Sequence, residues 1–399
     1  MLSEKKYFFI FFFLLFSISF IKLVDNAINL DAWEYGEWLI NYENGFIRRG
    51  LIGEIIINFS NFSKINIQHS FVTILTIISA FYFYKCYSLF KEIKLNIVNI
   101  FLFFSPIFFL FFILVNGVGI RKEILIYIYY LCFLTDIIYK KKSQKVYDYY
   151  LFLFPLLFLI HESFFFYLPY LFLPLILISS KKDIKKLFFK FIVSALFSIL
   201  VVLLLYYFRG TFEHTLKICE SLGSYAPVRC TEWGPTYALQ HDLLKDQTNQ
   251  DMSFFYFQAD IKSWLGYTIY VFYAFFPIFL FIKSVRLNHS FLKDKHFGYL
   301  SIFIFIWSLP LFHVAEDWSR WFSIHYHLLS FFLFFSLYLK KLKFRFSKKI
   351  KKLNILFLKK KNIFILLGVA YSTLLAHEEY FAKDVDLKIS ILEIIQRLN

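Results

Sequence analysis

The chain has 399 residues, of which 59% are hydrophobic and 23% aromatic, while only 18% are charged. Soluble proteins are about 45–50% apolar, so this composition excludes a disordered protein, a secreted disulfide scaffold and an ordinary cytosolic enzyme. The formal net charge of +16 would suggest nucleic-acid binding in a soluble protein. Here the basic residues lie between long apolar runs, where they indicate membrane topology instead, and we expect no nucleic-acid partner.

Apolar runs long enough to cross a bilayer recur along the whole chain. Backbone polar groups in lipid must be hydrogen bonded within their own segment, so such runs form helices. The sequence therefore predicts an all-α polytopic transmembrane helical bundle of about eleven spans. The predicted spans are 7–24, 70–89, 95–115, 124–139, 147–161, 164–180, 187–208, 266–283, 297–314, 325–340 and 363–377. The short pair 147–161 and 164–180 is predicted either as two tilted helices or as one broken, re-entrant element.

The distribution of lysine and arginine predicts a cytoplasmic N-terminus. Lys5 and Lys6 precede the first span, and the loop 340–362 carries eleven basic residues. An even number of predicted spans separates each lysine cluster from the previous one, so all the clusters are expected to face the cytoplasm. The first span lacks a small-x-small cleavage site and is interpreted as an uncleaved anchor. We expect residues 1–399 to form a single integral-membrane domain.

The predicted topology leaves most of the non-membrane mass on the outer side. It consists of loop 25–69, the large loop 209–265, the short turn 315–324 and the C-terminal segment 378–399. The apolar spacing in the last of these predicts an amphipathic helix on the membrane surface. The long inner loop 340–362 is basic and has no recognisable catalytic pattern. Chemistry is therefore expected at the outer face.

Two of the four cysteines are predicted to form a disulfide. Cys219 and Cys230 both fall in the large outer loop, 11 positions apart, and an oxidising outer compartment permits a bond between them. Cys86 and Cys132 fall within predicted spans, where we expect them to be inert.

Candidate binding residues are those basic side chains that oppose the predicted topology. Arg48 and Arg49 lie in the first outer loop, and Arg121 and Lys122 begin a span from the outer side. Guanidinium groups bind phosphate oxygens in a bidentate manner, so these residues predict phosphate or pyrophosphate binding. The alternatives are pairing of the first two with nearby carboxylates or lipid headgroups, and a snorkelling helix end paired with Glu123.

Candidate proton-transfer residues lie in two further places. His161 and Glu162 stand between apolar stretches, and an imidazole beside a carboxylate can accept a proton near neutral pH; the alternative is a simple polar turn. Asp317 and Arg320 belong to a stretch rich in imidazole and tryptophan, which suits a charged, sugar-bearing lipid. No zinc-ligand spacing, P-loop or dinucleotide-binding pattern occurs, so we expect neither a metal ion nor another cofactor.

Four short strings resemble patches in a known membrane family. They are NGFIRRGLIG at 44–53, GIRKE at 119–123, LIHES at 159–163 and EDWSRW at 316–321. Together with the architecture, they resemble the O-antigen and capsule repeat-unit polymerases of Gram-negative bacteria, the Wzy class. The resemblance implies a glycosyltransferase of the bacterial inner membrane that contributes to lipopolysaccharide or other polysaccharide biosynthesis. Its expected partners are an undecaprenyl-pyrophosphate-linked oligosaccharide, membrane lipid and a chain-length regulator protein.

The resemblance also implies roles for the candidate residues. Polymerisation moves a growing chain from undecaprenyl pyrophosphate onto a fresh lipid-linked repeat unit, so the leaving group is anionic. Preorganised cations can stabilise that charge without a metal. The residues assigned to the pyrophosphate are Arg48, Arg49, Arg121, Lys122 and Arg320. The residues assigned to the acceptor hydroxyl proton are His161, Glu162 and Asp317.

Two other functions stay open at the level of sequence. A single-sugar glycosyltransferase that uses a polyprenyl-phosphate donor would place its acidic catalytic residue in the first outer loop, at Asp31, Glu34 or Glu37. A flippase or transporter would bury charges in the middle of its spans. The products distinguish the single-sugar transferase from the polymerase, because a transferase adds one sugar and a polymerase makes a ladder of repeats.

Overall fold

The computed structural model describes residues 4–111, 120–139, 144–180, 182–240, 261–288, 294–314 and 318–374. These residues are mostly helical, as expected, and contain fourteen α-helices. The first nine are α1 (Glu4–Ile28), α2 (Leu51–Ser63), α3 (Ile67–Phe90), α4 (Ile97–Phe103), α5 (Glu123–Tyr139), α6 (Gln144–Leu153), α7 (Pro169–Ile178), α8 (Ile184–Tyr207) and α9 (Phe212–Leu222). The others are α10 (Ile261–Ser284), α11 (Asp294–Val314), α12 (Trp318–Tyr338), α13 (Lys348–Lys359) and α14 (Lys361–Leu374).

Two short strands interrupt the helical pattern, which the all-α prediction did not include. Strand β1 (Val285–Leu287) pairs antiparallel with β2 (Leu342–Phe344). Each strand has only three residues, and the pairing joins the end of α10 to the chain beyond α12. The remaining regular structure in the described residues consists of 3-10 helices at Gly36–Leu39, Phe154–Leu159, Glu162–Tyr167, Gly223–Tyr225 and Tyr237–Gln240.

Four helices among the described residues are long and apolar enough to cross a membrane. They are Glu4–Ile28, Ile67–Phe90, Ile184–Tyr207 and Leu265–Ser284. Each coincides with a predicted span, so a membrane protein is supported. The shorter apolar helices are Val146–Leu159, Glu162–Ile178, Gly298–Phe312 and Lys361–Ser372. The count of eleven spans and the cytoplasmic N-terminus stay predictions.

Two stretches of predicted span, 95–115 and 147–180, are not continuous helices in the structure. In 95–115, helix α4 ends at Phe103 and turns follow, because Pro106 disfavours helical geometry at the preceding residue, Ser105. The Ser105 hydroxyl donates to the carbonyl of Ala274 (2.7 Å). The stretch 147–180 is also broken, since His161 has extended backbone between two 3-10 helices. The sequence allowed either two tilted helices or one broken element here, and the structure has the broken element.

The chain divides into two compact units. Unit 1 comprises residues 1–15, 87–118 and 250–399, and unit 2 comprises residues 16–86 and 119–249. The core of unit 1 is aromatic and surrounds α12, which is buried along almost its whole length, including its Ser, His and Arg positions. Tyr326 and Ser323 of α12 donate hydrogen bonds of 3.0 Å to the carbonyls of Leu102 and Ile107, near the break after α4.

Unit 2 holds the first outer loop against the chain that follows α8. The amide of Val228 donates to the carbonyl of Leu30 (2.9 Å), and the Tyr35 hydroxyl donates to the carbonyl of Tyr225 (3.1 Å). Within the same region, Cys219 and Cys230 form a disulfide with a Cα–Cα distance of 5.9 Å. These contacts fix the residues that precede the candidate site.

Candidate functional site

Unit 2 contains a buried group of charged side chains contributed by four separate segments. We call it the charged cluster. Its members come from the 3-10 helix Gly36–Leu39, the residues just before α2, the residues just before α5, and the junction of the 3-10 helices Phe154–Leu159 and Glu162–Tyr167. They are Glu37, Arg48, Arg49, Arg121, Lys122, His161 and Glu162. Six of these seven were singled out from sequence for binding or proton transfer, and the seventh, Glu37, was named in the alternative function.

The most deeply buried pair of the cluster joins Glu37 to Arg121. The guanidinium Nε lies 2.9 Å from a carboxylate oxygen, and the two side chains are 2% and 1% exposed. A hydrogen bond between the neighbouring residues holds them together: the indole of Trp38 donates to the carbonyl of Ile120 (2.8 Å). That bond ties the residue after Glu37 to the residue before Arg121.

His161 extends the same arrangement from the opposite side. Its Nδ1 accepts a hydrogen bond from the backbone amide of Ser163 (3.3 Å), and the Ser163 hydroxyl lies 2.7 Å from the same atom. A nitrogen that accepts from a backbone amide carries no proton, so the neutral ring is protonated at Nε2. That Nε2 lies 3.7 Å from Glu37 Oε1. His161 therefore offers a proton towards Glu37, and its accepting nitrogen is already occupied.

Glu162 is the carboxylate that contacts both adjacent arginines. Arg49 donates through Nε to Oε2 (2.9 Å) and through Nη2 to Oε1 (2.5 Å), and Arg48 Nη1 lies 3.3 Å from Oε1. Burial alone would raise the pKa of Glu162, but the charges of Arg49 and Arg48 hold that pKa well below its ordinary value. The carboxylate is therefore ionised and a weak proton acceptor.

Local backbone geometry aims the two arginines at the same place. Arg49 has a left-handed backbone with φ 66°. This conformation orients the Arg48 and Arg49 side chains differently, relative to each other, from ordinary helix or strand backbone. Arg48 is anchored by its amide, which donates to the carbonyl of Phe208 (2.9 Å), and by Nη2, which donates to the carbonyl of Ala238 (3.3 Å). The Arg49 and Glu162 side chains keep 18% and 19% exposure, so this edge of the cluster is accessible.

Lys122 is fully buried beside the arginine pair. Its Nζ donates to the carbonyl of Arg49 (2.8 Å). Burial is the main reason that the pKa of this amine falls to about 7; Glu37 and Glu162 partly oppose the shift, and Arg49 adds to it. Lys122 is therefore the member of the cluster that can exchange a proton near neutral pH.

Glycines bring the first outer loop close enough to form the cluster. A Cβ at Gly53 would lie 1.9 Å from the carbonyl oxygen of Ile40, and a Cβ at Gly50 would lie 2.2 Å from the Tyr42 ring. The start of α2 can therefore pack on the segment that carries Glu37 only because both positions lack a side chain. Gly45 has no atoms within 4 Å of such a Cβ, and its φ of +98° explains its presence instead.

The other residues considered from the sequence are Asp317, Arg320, Asp31 and Glu34. Asp317 lies outside the described residues. Arg320 belongs to α12 in unit 1, where it is buried and lies 5.2 Å from the ring centroid of Trp321. Asp31 was one of the acidic residues considered for the alternative transferase. Its carboxylate accepts hydrogen bonds from the amides of Trp33 and Glu34 and so stabilises a local turn. Burial is the main cause of a raised pKa at Glu34.

Sequence reasoning missed two of the pairings in the cluster. Glu123 was the suggested partner for Arg121, whereas the structure pairs Arg121 with Glu37. Nearby carboxylates were the suggested partners of the adjacent arginines, whereas both contact Glu162, more than 110 positions away. For the pairing of Arg121 with Glu37, the only available signal in the sequence was the presence of the Glu37 carboxylate within an aromatic segment.

The arrangement can bind an anion at its accessible edge and move a proton near it. Three arginines of the cluster are matched in number by the carboxylates of Glu37, Glu162 and the buried Glu123, and Lys122 adds a positive charge when it is protonated. Within the described ranges, no group of three or more His, Cys, Asp or Glu side chains could hold a metal ion. Comparison with protein-family models, curated proteins and solved structures finds no match for the chain.

Proposed function

We propose that the chain is a membrane glycosyltransferase that polymerises undecaprenyl-pyrophosphate-linked oligosaccharide repeat units into O-antigen or capsular polysaccharide. The observation that supports this most is the convergence of Arg48 and Arg49 on one accessible carboxylate, Glu162. A carboxylate and a phosphate present similar pairs of oxygens to a guanidinium fork. This similarity supports binding of substrate phosphate oxygens by the same two guanidinium groups.

The reaction in this proposal is a single displacement at a sugar carbon. A hydroxyl of the incoming lipid-linked repeat attacks C1 of the sugar that attaches the growing chain to its lipid. The new glycosidic C1–O bond forms as the C1–O bond to pyrophosphate breaks, and the bonding electrons leave with the lipid pyrophosphate. Arg48 and Arg49 offset the negative charge that develops on this leaving group.

The hydroxyl proton needs an acceptor, and the geometry favours Lys122 for that role. Glu162 is held ionised by two guanidinium groups, and the accepting nitrogen of His161 is occupied by Ser163. Lys122 has a pKa of about 7 and contacts the backbone of Arg49, so its neutral amine is available at the pH where a general base is most effective. Glu37, Arg121 and His161 then serve as positioning residues around it.

The test uses lipopolysaccharide gels from a strain that lacks the gene and carries the wild type or a variant. The wild type should give a ladder, and the empty strain should give core plus a single repeat. Arg49→Ala should also give the single repeat. Arg229→Ala is the matched control, because Arg229 also has a left-handed backbone (φ 54°) in unit 2 but is exposed.

Arg229→Ala should preserve the ladder, which separates loss of the guanidinium at the site from a general effect of an Arg→Ala replacement at a left-handed position. A full ladder from both Arg48→Ala and Arg49→Ala would refute the leaving-group role. Loss of even the single repeat from the empty strain would refute polymerisation itself, and would move the assignment to repeat-unit synthesis or export.

A second function is favoured by one specific observation, the burial of Glu37 at the centre of the cluster. A polyprenyl-phosphate-dependent transferase would use a first-loop carboxylate as its base. Under that function, Glu37→Gln would abolish addition of one sugar, while Lys122→Met would leave measurable transfer. Under polymerisation, Lys122→Met abolishes the ladder and the single repeat is still made.

A further inference from the structure

A second feature of the molecule lies in unit 1, at the junction of α10, the two strands and α13. A cavity of about 680 Å³ opens there. Its lining combines apolar side chains with three cations. The apolar residues that matter here are Leu280, Ile282, Leu342, Phe346 and Ile350. The cations are Lys283, Arg286 and Arg345.

The strand register places like charges directly opposite each other at this cavity. Arg286 of β1 is the cross-strand partner of Lys343 of β2. Directly opposed like charges destabilise an antiparallel pair, and both residues are exposed rather than neutralised by burial. An anion between them would convert this repulsion into attraction.

The surrounding sequence provides no carboxylate that could act as that anion. Positions 261–293 and 318–377, which include all the lining residues and their neighbours along the chain, contain no Asp or Glu. The negative charge must therefore come from another part of the chain or from a bound molecule. The absence of a carboxylate among the lining residues favours the bound molecule.

The apolar part of the lining indicates what that molecule is attached to. Ile350 lines the cavity, and Leu353 lies one turn further along α13 and is 48% exposed. Leu356, at 43% exposed, continues the same face. A fully hydrated ion would gain nothing from this apolar strip, whereas an acyl chain would bury against it.

We propose that this cavity binds the phosphate-bearing headgroup of an anionic membrane lipid. Arg286, Arg345 and Lys283 hold the phosphate oxygens, and the apolar wall continued by α13 holds the beginning of an acyl chain. This inference concerns unit 1 alone and is independent of the proposed polymerase activity.

The test is native mass spectrometry of the full-length chain in detergent. The probes are phosphatidylglycerol, phosphatidylcholine with the same acyl chains, and inorganic phosphate. The wild type should retain phosphatidylglycerol in preference to phosphatidylcholine. The variant Arg286→Gln/Arg345→Gln should bind phosphatidylglycerol about a hundredfold more weakly, because it loses two charge-assisted hydrogen bonds and each accounts for roughly tenfold or more.

The matched control is Lys349→Gln/Lys352→Gln, which removes the same charge from exposed positions of α13 that do not line the cavity. This control should change the affinity less than about twofold, because these exposed charges lie outside the cavity lining and contribute little there. Equal losses in the two double variants, or equal retention of both lipids, would overturn the proposal. Displacement of phosphatidylglycerol by an equal concentration of inorganic phosphate would overturn the lipid assignment in favour of a free anion.

If the arginine variant does not elute as a folded species in size-exclusion chromatography, Lys283→Gln replaces it. Lys283 is exposed and lines the cavity, so its neutralisation should leave the fold intact. Weaker phosphatidylglycerol binding by this variant supports the proposal, and wild-type affinity overturns it.

Discussion

Glu37 and Arg121 are separated by 84 positions in the sequence and meet at 2.9 Å with almost no exposure to solvent. A buried ion pair contributes little net stability, because both charges lose their hydration. Breaking it is different, since the remaining charge is then buried without compensation. This relationship leads to the first prediction.

Replacement of one member of this pair should destabilise unit 2 more than replacement of both. Arg121→Met leaves the Glu37 carboxylate buried and should cost about 3–5 kcal/mol. Glu37→Met should have a similar effect through Arg121, while the double variant should recover much of the loss. The measurement is the thermal unfolding midpoint of the three variants in detergent. Losses that add in the double variant would show that the two side chains are not energetically coupled.

Much of the helical pattern could be predicted from the sequence, because apolar runs with flanking charge determine it. Helices α1, α3, α8 and α10 lie at predicted spans, and α5 begins one residue before its predicted start. The break at Ser105–Pro106 was harder to predict, since it interrupts a run whose mean hydropathy stays high, whereas a break near His161 was one of the two interpretations of 147–180. The strands β1 and β2 have three residues each, too few for a period-two pattern to be recognised.

The candidate site was predictable as a set of residues but not as a set of contacts. Arginines on the predicted outer side, where basic residues are disfavoured, are visible in a charge pattern, which is why Arg48, Arg49 and Arg121 could be singled out. The pairing of Arg121 with Glu37 and of Arg49 with Glu162 depends on how distant segments pack. Hydropathy and charge contain no information on that packing.

The second prediction concerns Gly53, which lets α2 pack on the segment that carries Glu37. Gly53→Ala places a Cβ where the Ile40 carbonyl oxygen would be 1.9 Å away. Because backbone must move to accommodate it, we expect a loss of about 1–3 kcal/mol or more. Gly298→Ala in α11 is the matched control, since nothing lies within 4 Å of its added Cβ. A helical glycine replaced by alanine should gain about 0.5–1 kcal/mol.

These two variants should therefore shift the thermal unfolding midpoint in opposite directions. The same samples can be assayed for their polysaccharide ladder in cells. Gly53→Ala should shorten or abolish the ladder because it displaces Arg48 and Arg49 from their carboxylate partner, while Gly298→Ala should leave it unchanged. Wild-type stability and ladder for Gly53→Ala would contradict the close packing of α2.

The third prediction distinguishes charge from geometry at Arg49. Its planar fork makes two hydrogen bonds to Glu162, and lysine would keep the charge but lose the paired contact. Arg49→Lys should lower the polymerisation rate by about tenfold or more, since a charge-assisted hydrogen bond is worth roughly 1.5–3 kcal/mol. The measurement is incorporation of labelled repeat units into long chains by membrane vesicles. Arg229→Lys should have no effect, and equal rates for Arg49→Lys and wild type would show that charge alone suffices.

The fourth prediction follows from the buried amine of Lys122. Its pKa falls from an ordinary value of 10.5 to about 7 in the folded chain, so between these pH values the unfolded chain binds a proton that the folded chain does not. The free energy of unfolding should therefore rise with pH across this window and level off above it. Lys122→Met removes the titrating group and should flatten that rise.

Thermal unfolding from pH 7 to 10 of the wild type, Lys122→Met and Lys217→Met in detergent measures this effect. Lys217 is exposed on α9 in the same unit, so its replacement should preserve the wild-type slope. Lys122→Met also loses the 2.8 Å hydrogen bond to Arg49, which lowers stability by a similar amount at every pH and leaves the slope as the diagnostic quantity. A wild-type slope in Lys122→Met would mean that Lys122 stays protonated throughout, and the general-base role would then pass to Glu37.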